Sequence, residues 1–533
     1  MRGRTTAGAA GAAMALLALA VPAVADGRKP DLTRFYTQHL TWGGCTVQDA
    51  PKGMECAELT VPIDYARPEG GTIALAVGRV RAAESGEGPT GTGTGAGTAS
   101  PTGAASPTAP KGSLVFNFGG PGESGLKGLG GFTADTARLA PAYDLVSFDP
   151  RGVGRSAPVR CGAKAEQDIE SSSDNATADD AEGRAQLVDE LKSVAEECRK
   201  TTGKLLPHVG TINASRDLDV LRQALGDKKL NYFGISYGTR LGAVYAAQFP
   251  KRTGRMVLDA VDSLTANAAE SALAQATAFQ KGLDTFLADC AAQGAGCPLG
   301  ATTSKATSTL DATVARLDRE SARTASGADF TSADLRTAIT NSLYAEQLWP
   351  TLAQGIATLH DKGDPAVLDE INKQFAGEDA QGNRADDDNS REALLAVNCA
   401  DDPERAKDPA AELASLEKKF AKASPMFGPD QVGAAISCTG WPAGTDYIRR
   451  IDKTGAPPIL LIGTKGDPAT PYQWAAETAR HLGKGVVLTY EGEGHGGYTA
   501  SQCVRDQADA FLLDGVLPDE GTSCPRETPP PEH

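Results

Sequence analysis

The chain has 533 residues, of which 40% are hydrophobic, enough for one large catalytic domain with a second domain inserted into it. Its formal net charge is −16, and such an acidic surface argues against nucleic acid or an anionic membrane as a partner. Acidity also keeps a protein soluble, so this charge alone does not indicate a cationic substrate.

The first 25 residues have the pattern of a secretory signal peptide. Arg2 and Arg4 precede an Ala/Leu-rich run that ends near Val21, and Ala23-Val24-Ala25 supplies the small residues of a cleavage site. A membrane anchor is the alternative, but the apolar run is shorter than the roughly 20 residues that span a bilayer. We therefore predict a secreted, extracellular protein without a membrane anchor.

Ten cysteines follow this leader, and an even number in an exported chain indicates five disulfides. Their spacing favours pairing between neighbours in the sequence, although spacing alone does not fix the connectivity. A zinc site is the alternative, but the chain lacks a C-x-x-C pair and clustered histidines, so we predict no metal and no cofactor. The predicted pairs are Cys45–Cys56, Cys161–Cys198, Cys290–Cys297, Cys399–Cys438 and Cys503–Cys524.

Strand-like and helix-like segments then alternate along the chain. Residues 57–62 and 72–77 predict an opening hairpin, and the Gly/Thr/Ser/Pro-rich residues 84–112 predict a disordered surface loop. The alternation favours a mostly parallel sheet that is covered by helices on both faces. Further strands are predicted at 114–118, 143–148, 230–233, 255–259, 458–463 and 486–490, with helices at 214–225, 239–247 and 475–482.

The strand patterns stop between about residues 264 and 445, where helices are predicted, for example over 268–290 and 335–359. A helical block inserted into a sheet of this kind is typical of a lid. The predicted organisation is a signal peptide (1–25), a core in two parts (26–263 and 446–525), a helical lid (264–445) and a disordered tail (526–533).

Gly234-Ile235-Ser236-Tyr237-Gly238 lies between a predicted strand and a predicted helix. A serine on such a sharp turn has a strained backbone, and its hydroxyl lies at a helix N-terminus, where negative charge is stabilised. The G-x-S-x-G pattern alone is common, but the strand before it and the helix after it predict that Ser236 is a nucleophile.

A serine nucleophile needs a histidine base and a carboxylate that orients the histidine. His495, in Glu493-Gly494-His495-Gly496-Gly497, lies on a Gly-rich loop directly after the last predicted strand. Asp467 follows the preceding strand, in an Asp-Pro sequence that is also an ordinary turn signal. The chain order Ser236, Asp467, His495 is the one expected of this kind of sheet.

An oxyanion site requires two backbone N–H donors. Tyr237 supplies one, and the Phe118-Gly119-Gly120-Pro121-Gly122 loop supplies the other, with Gly120 preferred over its neighbour Gly119. A dinucleotide-binding loop is the competing interpretation, but Pro121 removes a donor and G-x-G-x-x-G is absent. The Asp149–Ser156 segment is expected to brace these loops.

These motifs, together with Asp467-Pro468-Ala469-Thr470-Pro471, resemble the secreted tripeptidyl aminopeptidases, which belong with the proline iminopeptidases among the α/β-hydrolase serine peptidases. The resemblance runs from about Cys45 to Cys524. It implies an α/β-hydrolase fold with an inserted helical lid and release of short peptides from free N-termini. Two positions differ from the pattern: Phe118 stands where proline iminopeptidases have a histidine, and Glu123 stands where the tripeptidyl group has a small residue.

Recognition of a substrate ammonium needs a carboxylate near the lid. The candidates are Glu123 and Asp401, with Asp402 and Glu346 as further possibilities. The predicted function is therefore a monomeric serine exopeptidase that acts on peptides. A carboxylesterase with the same triad is the alternative, and a non-enzymatic binding protein is a third, disfavoured by the complete triad.

Overall fold

The computed structural model describes residues 30–47, 50–82, 110–165, 169, 180–378 and 388–527. The predicted signal peptide (1–25), residues 84–109 of the predicted surface loop and residues 528–533 of the predicted tail lie outside the described residues.

A ten-stranded sheet forms the centre of the molecule, in the order β1-β2-β3-β5-β4-β6-β7-β10-β11-β12. Seven strands of this order, from β5 through β4 to β12, pair in parallel with one another, and the antiparallel β2–β3 hairpin lies on one side of them, as predicted. The strands of the sheet are β1 (Gly43–Gly44), β2 (Glu55–Pro62), β3 (Thr72–Val80), β4 (Ser113–Asn117), β5 (Asp144–Phe148), β6 (Leu230–Ile235), β7 (Thr253–Asp259), β10 (Ile459–Gly466), β11 (Gly485–Glu493) and β12 (Ser523–Cys524). A separate hairpin consists of β8 (Ala322–Arg323) and β9 (Asp329–Phe330).

Both faces of the parallel part of the sheet are buried. Leu114 and Phe116 of β4 pack into the hydrophobic cluster on one face, and Val115 packs into the cluster on the other. Because side chains alternate between the faces, a strand covered on both sides is apolar at nearly every position. This is why β4, β6 and β10 are recognisable in the sequence as short continuous apolar runs.

Helices cover both faces. One long helix, Ala181–Thr202, was not predicted, because its exposed residues are largely charged and few apolar positions mark its buried side. Among the described residues, no helix is long and apolar enough to cross a bilayer. The helices around the sheet are Thr33–Tyr36, Gly125–Phe132, Ala181–Thr202, Thr211–Ala224, Tyr237–Gln248, Gln473–Leu482 and Gln502–Asp514.

The chain between β7 and β10 is mainly helical and has a hydrophobic cluster of its own, which includes Phe286, Leu335 and Leu352. The prediction of one helix over residues 335–359 is wrong: two helices flank a 3₁₀ turn, because Pro350 is tolerated only in the first turn of a helix. The helices are Ala268–Ala292, Thr303–Leu317, Ser332–Leu343, Trp349–Lys362, Ala366–Ala376, Ser390–Asp401, Pro409–Ala423 and Gly428–Gln431.

All ten cysteines form disulfides in the predicted pairs: Cys45–Cys56, Cys161–Cys198, Cys290–Cys297, Cys399–Cys438 and Cys503–Cys524. The last pair joins β12 to the helix before it. The first two residues of the predicted tail contact the rest of the chain: Arg526 forms ion pairs with Asp289 and Glu346, and Glu527 accepts a hydrogen bond from Ser501 Oγ.

Candidate active site

The predicted catalytic residues lie at the carboxyl ends of strands that are close together in the sheet. Ser236 follows β6, Asp467 follows β10, and His495 follows β11. Because these strands are parallel, their carboxyl ends lie along one edge of the sheet. β7 runs between the strands of Ser236 and Asp467, and it ends with the buried residue Asp259.

Ser236 is on a sharp turn from β6 into the helix that begins at Tyr237. Its φ of 56° and ψ of −125° are strained for a residue other than glycine. The flanking glycines are required by close contacts: a Cβ on Gly234 would lie 2.4 Å from the Gly238 carbonyl oxygen, and one on Gly238 would lie 2.4 Å from the Asn117 carbonyl oxygen. This strand–turn–helix setting is the one expected from the sequence.

Asp467 and His495 are in direct contact. The His495 Nδ1 lies 2.9 Å from Asp467 Oδ1 and 3.0 Å from Oδ2. Asp467 is buried and also accepts hydrogen bonds from the N–H groups of Ala469 and Thr470 and from the Thr470 hydroxyl. With Nδ1 held by the carboxylate, Nε2 is the ring nitrogen left for a serine proton.

The environment of His495 raises the pKa of its imidazole. Burial of the ring lowers the pKa of His495, but the charge of Asp467 and the hydrogen bond that the imidazole donates to Asp467 raise it more, so the net shift is upward. The main-chain N–H of His495 donates to the Tyr344 carbonyl oxygen at 2.8 Å, and the Tyr344 ring packs edge-on against the imidazole with centroids 5.0 Å apart. Tyr344 therefore contacts both the main chain and the ring of His495.

The Gly-rich loop after β4 packs between the nucleophile turn and a helix of the β7–β10 segment. A Cβ on Gly119 would lie 2.9 Å from the Ser236 Cβ, and one on Gly122 would lie 2.4 Å from the Ser390 carbonyl oxygen. Among the described residues, no acceptor binds the main-chain N–H of Gly120 or of Tyr237. Both N–H groups are therefore available for an anionic ligand.

Ser236, Gly120 and Tyr237 line one cavity of about 830 Å³, together with Tyr344 and Thr470, which contact His495 and Asp467. A larger cavity of about 1120 Å³ borders Tyr65, His208 and Trp441 instead and includes none of the predicted catalytic residues. We regard the smaller cavity as the reaction site, because the candidate nucleophile is exposed there.

Three of the four acids predicted to bind a substrate ammonium have partners within the protein. Asp401 accepts hydrogen bonds from Thr211 N (2.7 Å) and Oγ1 (2.5 Å), and Arg240 lies 3.6 Å away. Asp402 is paired with Arg449 at 3.2 Å, and Glu346 with Arg526 at 2.8 Å.

Glu123 differs from these acids. Its side chain is exposed, and no hydrogen-bond donor among the described residues reaches its carboxylate. Neighbouring atoms nevertheless remove part of its hydration, and this partial burial, with the charge of Asp388, raises the pKa of Glu123. A Cβ on Gly120 would lie 3.4 Å from Glu123 Cγ, so this carboxylate lies beside the candidate oxyanion loop.

The predicted bracing role of the Asp149–Ser156 segment agrees with its contacts. Asp149 accepts hydrogen bonds from Ser124 Oγ at 2.7 Å and from the Arg155 N–H at 2.9 Å, and Arg151 forms a fully buried ion pair with Asp217. Thr470 and Tyr344 were not predicted. Thr470 has the signal of a polar residue three positions after an aspartate in a turn, whereas no local pattern marks Tyr344.

The chain is similar in sequence to known proteins. Residues 424–524 match the family described as TAP-like protein. Serine protease Hip1 of Mycobacterium tuberculosis (strain ATCC 25618 / H37Rv) is 33% identical to this chain, over 97% of it and 96% of the relative. Tripeptidyl aminopeptidase of Streptomyces coelicolor is 32% identical, over 92% of this chain and 87% of the relative.

A third relative carries a different kind of name: carboxylesterase B of Mycobacterium tuberculosis (strain ATCC 25618 / H37Rv) is 32% identical, over 88% of this chain and 86% of its own length. The α/β-hydrolase fold predicted from the sequence agrees with the family and with the mostly parallel sheet. On the similarity across nearly its whole length, the chain belongs to the TAP-like family of α/β-hydrolase serine peptidases.

Proposed function

We propose that the protein is a secreted serine exopeptidase that releases short peptides, in particular tripeptides, from free N-termini. Ser236 is the nucleophile, His495 is the general base and Asp467 orients the histidine. The observation that carries this proposal is the 2.9 Å contact between Asp467 and His495, at the sheet edge where Ser236 occupies a strained turn.

In this mechanism the Ser236 hydroxyl attacks the scissile carbonyl carbon while His495 Nε2 accepts its proton. The N–H groups of Gly120 and Tyr237, which have no acceptor among the described residues, stabilise the oxyanion. The imidazolium then donates its proton to the leaving amine, and an acyl-enzyme forms. Water, deprotonated by the same histidine, hydrolyses that ester and restores the serine.

The inserted helices support a role as a lid, which we propose for residues 264–445. Ser271 and Gln275 of one helix, Thr340 of a second and Leu394 of a third line the cavity that contains Ser236. A cavity enclosed in this way admits a chain end more readily than the middle of a folded protein. Five disulfides support the proposed extracellular location, where such bonds persist.

The proposal is tested with three substrates that differ in one feature each: a free tripeptide–nitroanilide, the same compound N-acetylated, and a nitrophenyl ester. An exopeptidase cleaves the free peptide with a kcat/KM at least about tenfold above that of the acetylated one, because only the free peptide has an ammonium to bind. Equal turnover of both peptides would end the exopeptidase proposal.

A secreted carboxylesterase is the second candidate, and the similarity to carboxylesterase B favours it. The same triad and oxyanion site hydrolyse esters without change, since the acyl-enzyme is common to both reactions. Turnover of the nitrophenyl ester with no cleavage of either peptide would select this alternative.

We further propose that Glu123, rather than Asp401, receives the substrate ammonium. The Glu123 carboxylate accepts no hydrogen bond from the described residues, although the charge of Lys127 acts on it, whereas the Asp401 oxygens are bound by Thr211 and Arg240. Glu123→Gln should lower kcat/KM for the free peptide by at least about tenfold and leave the acetylated peptide nearly unchanged.

Asp401→Asn is the matched control, because it removes a carboxylate from the wall of the cavity that contains Ser236. Because the Asp401 carboxylate already accepts hydrogen bonds from Thr211, we expect Asp401→Asn to lower kcat/KM equally for the free and the acetylated peptide. The reverse pattern, in which Asp401→Asn is selective and Glu123→Gln is not, would exchange the two assignments.

A further inference from the structure

Asp259 is the last residue of β7, and β7 lies between the strand that carries Ser236 and the strand that carries Asp467. In the sheet register it pairs with Ile235 on one side and with Ile462 on the other. It is 2% exposed, and a buried carboxylate needs strong partners to offset its lost hydration. Its partners are found at both ends of the candidate catalytic machinery.

The main chain of Asp259 contacts the nucleophile turn. Its carbonyl oxygen accepts a hydrogen bond from the Ser236 N–H at 3.0 Å. The side chain contacts the other end of the machinery: the Gly497 N–H donates to Oδ1 at 3.0 Å and to Oδ2 at 3.1 Å, and the Tyr498 N–H donates to Oδ2 at 2.9 Å. One residue therefore joins the backbone at Ser236 to the backbone two positions after His495.

We propose that Asp259 is a positioning residue for His495, with a carboxylate that fixes the loop bearing the imidazole and a negative charge that stabilises the imidazolium formed during proton transfer. This inference rests on the proposed function, because it assigns Asp259 a task only if His495 is the base. Asp259 does not line the cavity that contains Ser236. It acts through the His495 loop.

The charged and titratable groups around Asp259 make this electrostatic role specific. Asp467 and His495 lie at the two strand ends beyond it, Asp262 follows three residues later, and Arg240 pairs with Asp262 at 2.8 Å. Burial raises the pKa of Asp259 to about 6, and the hydrogen bonds from Gly497 and Tyr498 oppose this shift because they stabilise the ionised form. The charge of Asp259 in turn raises the pKa of His495.

Asp259→Asn separates positioning from charge. The amide oxygen in the place of Oδ2 can keep the hydrogen bonds to that atom from Gly497 and Tyr498, while the negative charge and the bond from Gly497 to Oδ1 are lost. Without that charge the imidazole loses its proton more easily, so the acidic limb of the kcat/KM–pH profile should move to lower pH by about half a pH unit or more. We expect kcat to fall about tenfold or more and KM to change little, since no substrate contact is removed.

Asp509→Asn is the matched control. Asp509 is also fully buried and also binds Tyr498. It accepts a hydrogen bond from the Tyr498 hydroxyl at 2.8 Å, however, and not from the main chain of the His495 loop. Asp509→Asn should lose about as much thermal stability as Asp259→Asn, but the acidic limb of its kcat/KM–pH profile should stay at the same pH as in the unchanged protein. A profile that is the same in Asp259→Asn and in the unchanged protein would overturn the proposal, because a purely structural carboxylate would not move the limb.

If Asp259→Asn does not fold, the unchanged protein provides the decisive measurement. Protonation of both Asp259 and His495 predicts an acidic limb that falls more steeply than the gain of one proton allows, and a one-proton limb counts against the proposal. Fluorophosphonate labelling separates the two hypotheses: if Ser236 is labelled while the limb stays unmoved, only the role of Asp259 fails. If Ser236 is not labelled, the proposed function fails first.

Discussion

The carboxyl edge of the sheet and the helical segment between β7 and β10 are built differently. At the edge, Ser236, Asp467 and His495 each follow a strand by a few residues, so backbone hydrogen bonds of the sheet fix where they lie. The helices of the insertion are positioned by packing and by a few polar contacts with the rest of the chain. The comparison suggests that changes at the edge alter chemistry and thus kcat, whereas changes in the insertion alter access and thus KM.

The largest effect is expected at the nucleophile. Ser236→Ala removes the attacking oxygen and should lower kcat about 10⁶-fold, by analogy with other triads, with thermal stability unchanged. Steady-state kinetics on the tripeptide–nitroanilide measure the loss, and a fluorophosphonate probe should label the unchanged protein at Ser236 alone. A variant that retains labelling at another serine would place the chemistry elsewhere.

Asp467→Asn is expected to come second. It should lower kcat about 10⁴-fold, because an amide holds the imidazole in the wrong tautomer. Asp467 raises the pKa of His495 and burial lowers it, so without the carboxylate the residual activity should persist to lower pH than in the unchanged protein. The kcat/KM–pH profile tests this sign, and a shift of the acidic limb to higher pH would contradict it.

The close packing of the nucleophile turn predicts a third effect. Gly238→Ala places a methyl group 2.4 Å from a main-chain oxygen, which should destabilise the fold by about 1–3 kcal/mol and lower kcat about 10²-fold by displacing Ser236. Gly131→Ala is the control, since nothing lies within 4 Å of its added methyl group. Gly238→Ala should have a lower melting temperature and a lower kcat than Gly131→Ala, and equal values for the two variants would refute the packing argument.

The insertion offers a weaker perturbation at Asn389. This buried side chain accepts from the Gly154 N–H and donates to the Gly152 and Val159 carbonyl oxygens, so it fixes the helix Ser390–Asp401 against the core. Asn389→Ala should cost about 1–3 kcal/mol and raise KM more than it lowers kcat.

Asn372→Ala is the control for Asn389. It removes a hydrogen bond to the Asp334 carbonyl oxygen and one from the Asn341 side chain, both within the insertion, and should leave KM unchanged. A loss confined to kcat in Asn389→Ala would break the distinction between the sheet edge and the helices.

The smallest effect is expected at Arg526, which joins the end of the chain to Asp289 and Glu346 of the insertion. The Arg526 side chain is 30% exposed, so Arg526→Gln should cost only about 0.5–1 kcal/mol. Melting temperatures in low and high salt test this: the difference from the unchanged protein should shrink as salt screens the ion pairs. A difference that grows with salt would rule out an electrostatic link.

The sheet edge could be predicted because its signals are local. A Gly-rich loop after an apolar strand indicates His495, and glycines on both sides of a serine between a strand and a helix indicate Ser236. Asp259 was seen only as the end of a strand, because its hydrogen bonds go to a loop 238 positions away in the chain. Long-range contacts of this kind leave no trace in a local pattern.

The choice among the candidate acids was also beyond local reasoning. Glu123 and Asp401 differ in whether a donor from elsewhere in the fold reaches the carboxylate, and Thr211 is 190 positions from Asp401. The helix break between Leu343 and Trp349, in contrast, has a local signal in Pro350. The hydrogen-bond partners of a buried side chain can therefore be identified only from the structure, whereas a helix break at a proline can be predicted from the sequence.

The order of the strands along the chain has a consequence for biosynthesis. Ser236 is made before the helical insertion, and Asp467 and His495 are made after it. A nascent chain thus carries the serine turn without a base until β10 and β11 have emerged and joined the sheet beside β7. If the proposed triad is correct, we expect the growing polypeptide to have no hydrolytic activity until these two strands have joined the sheet.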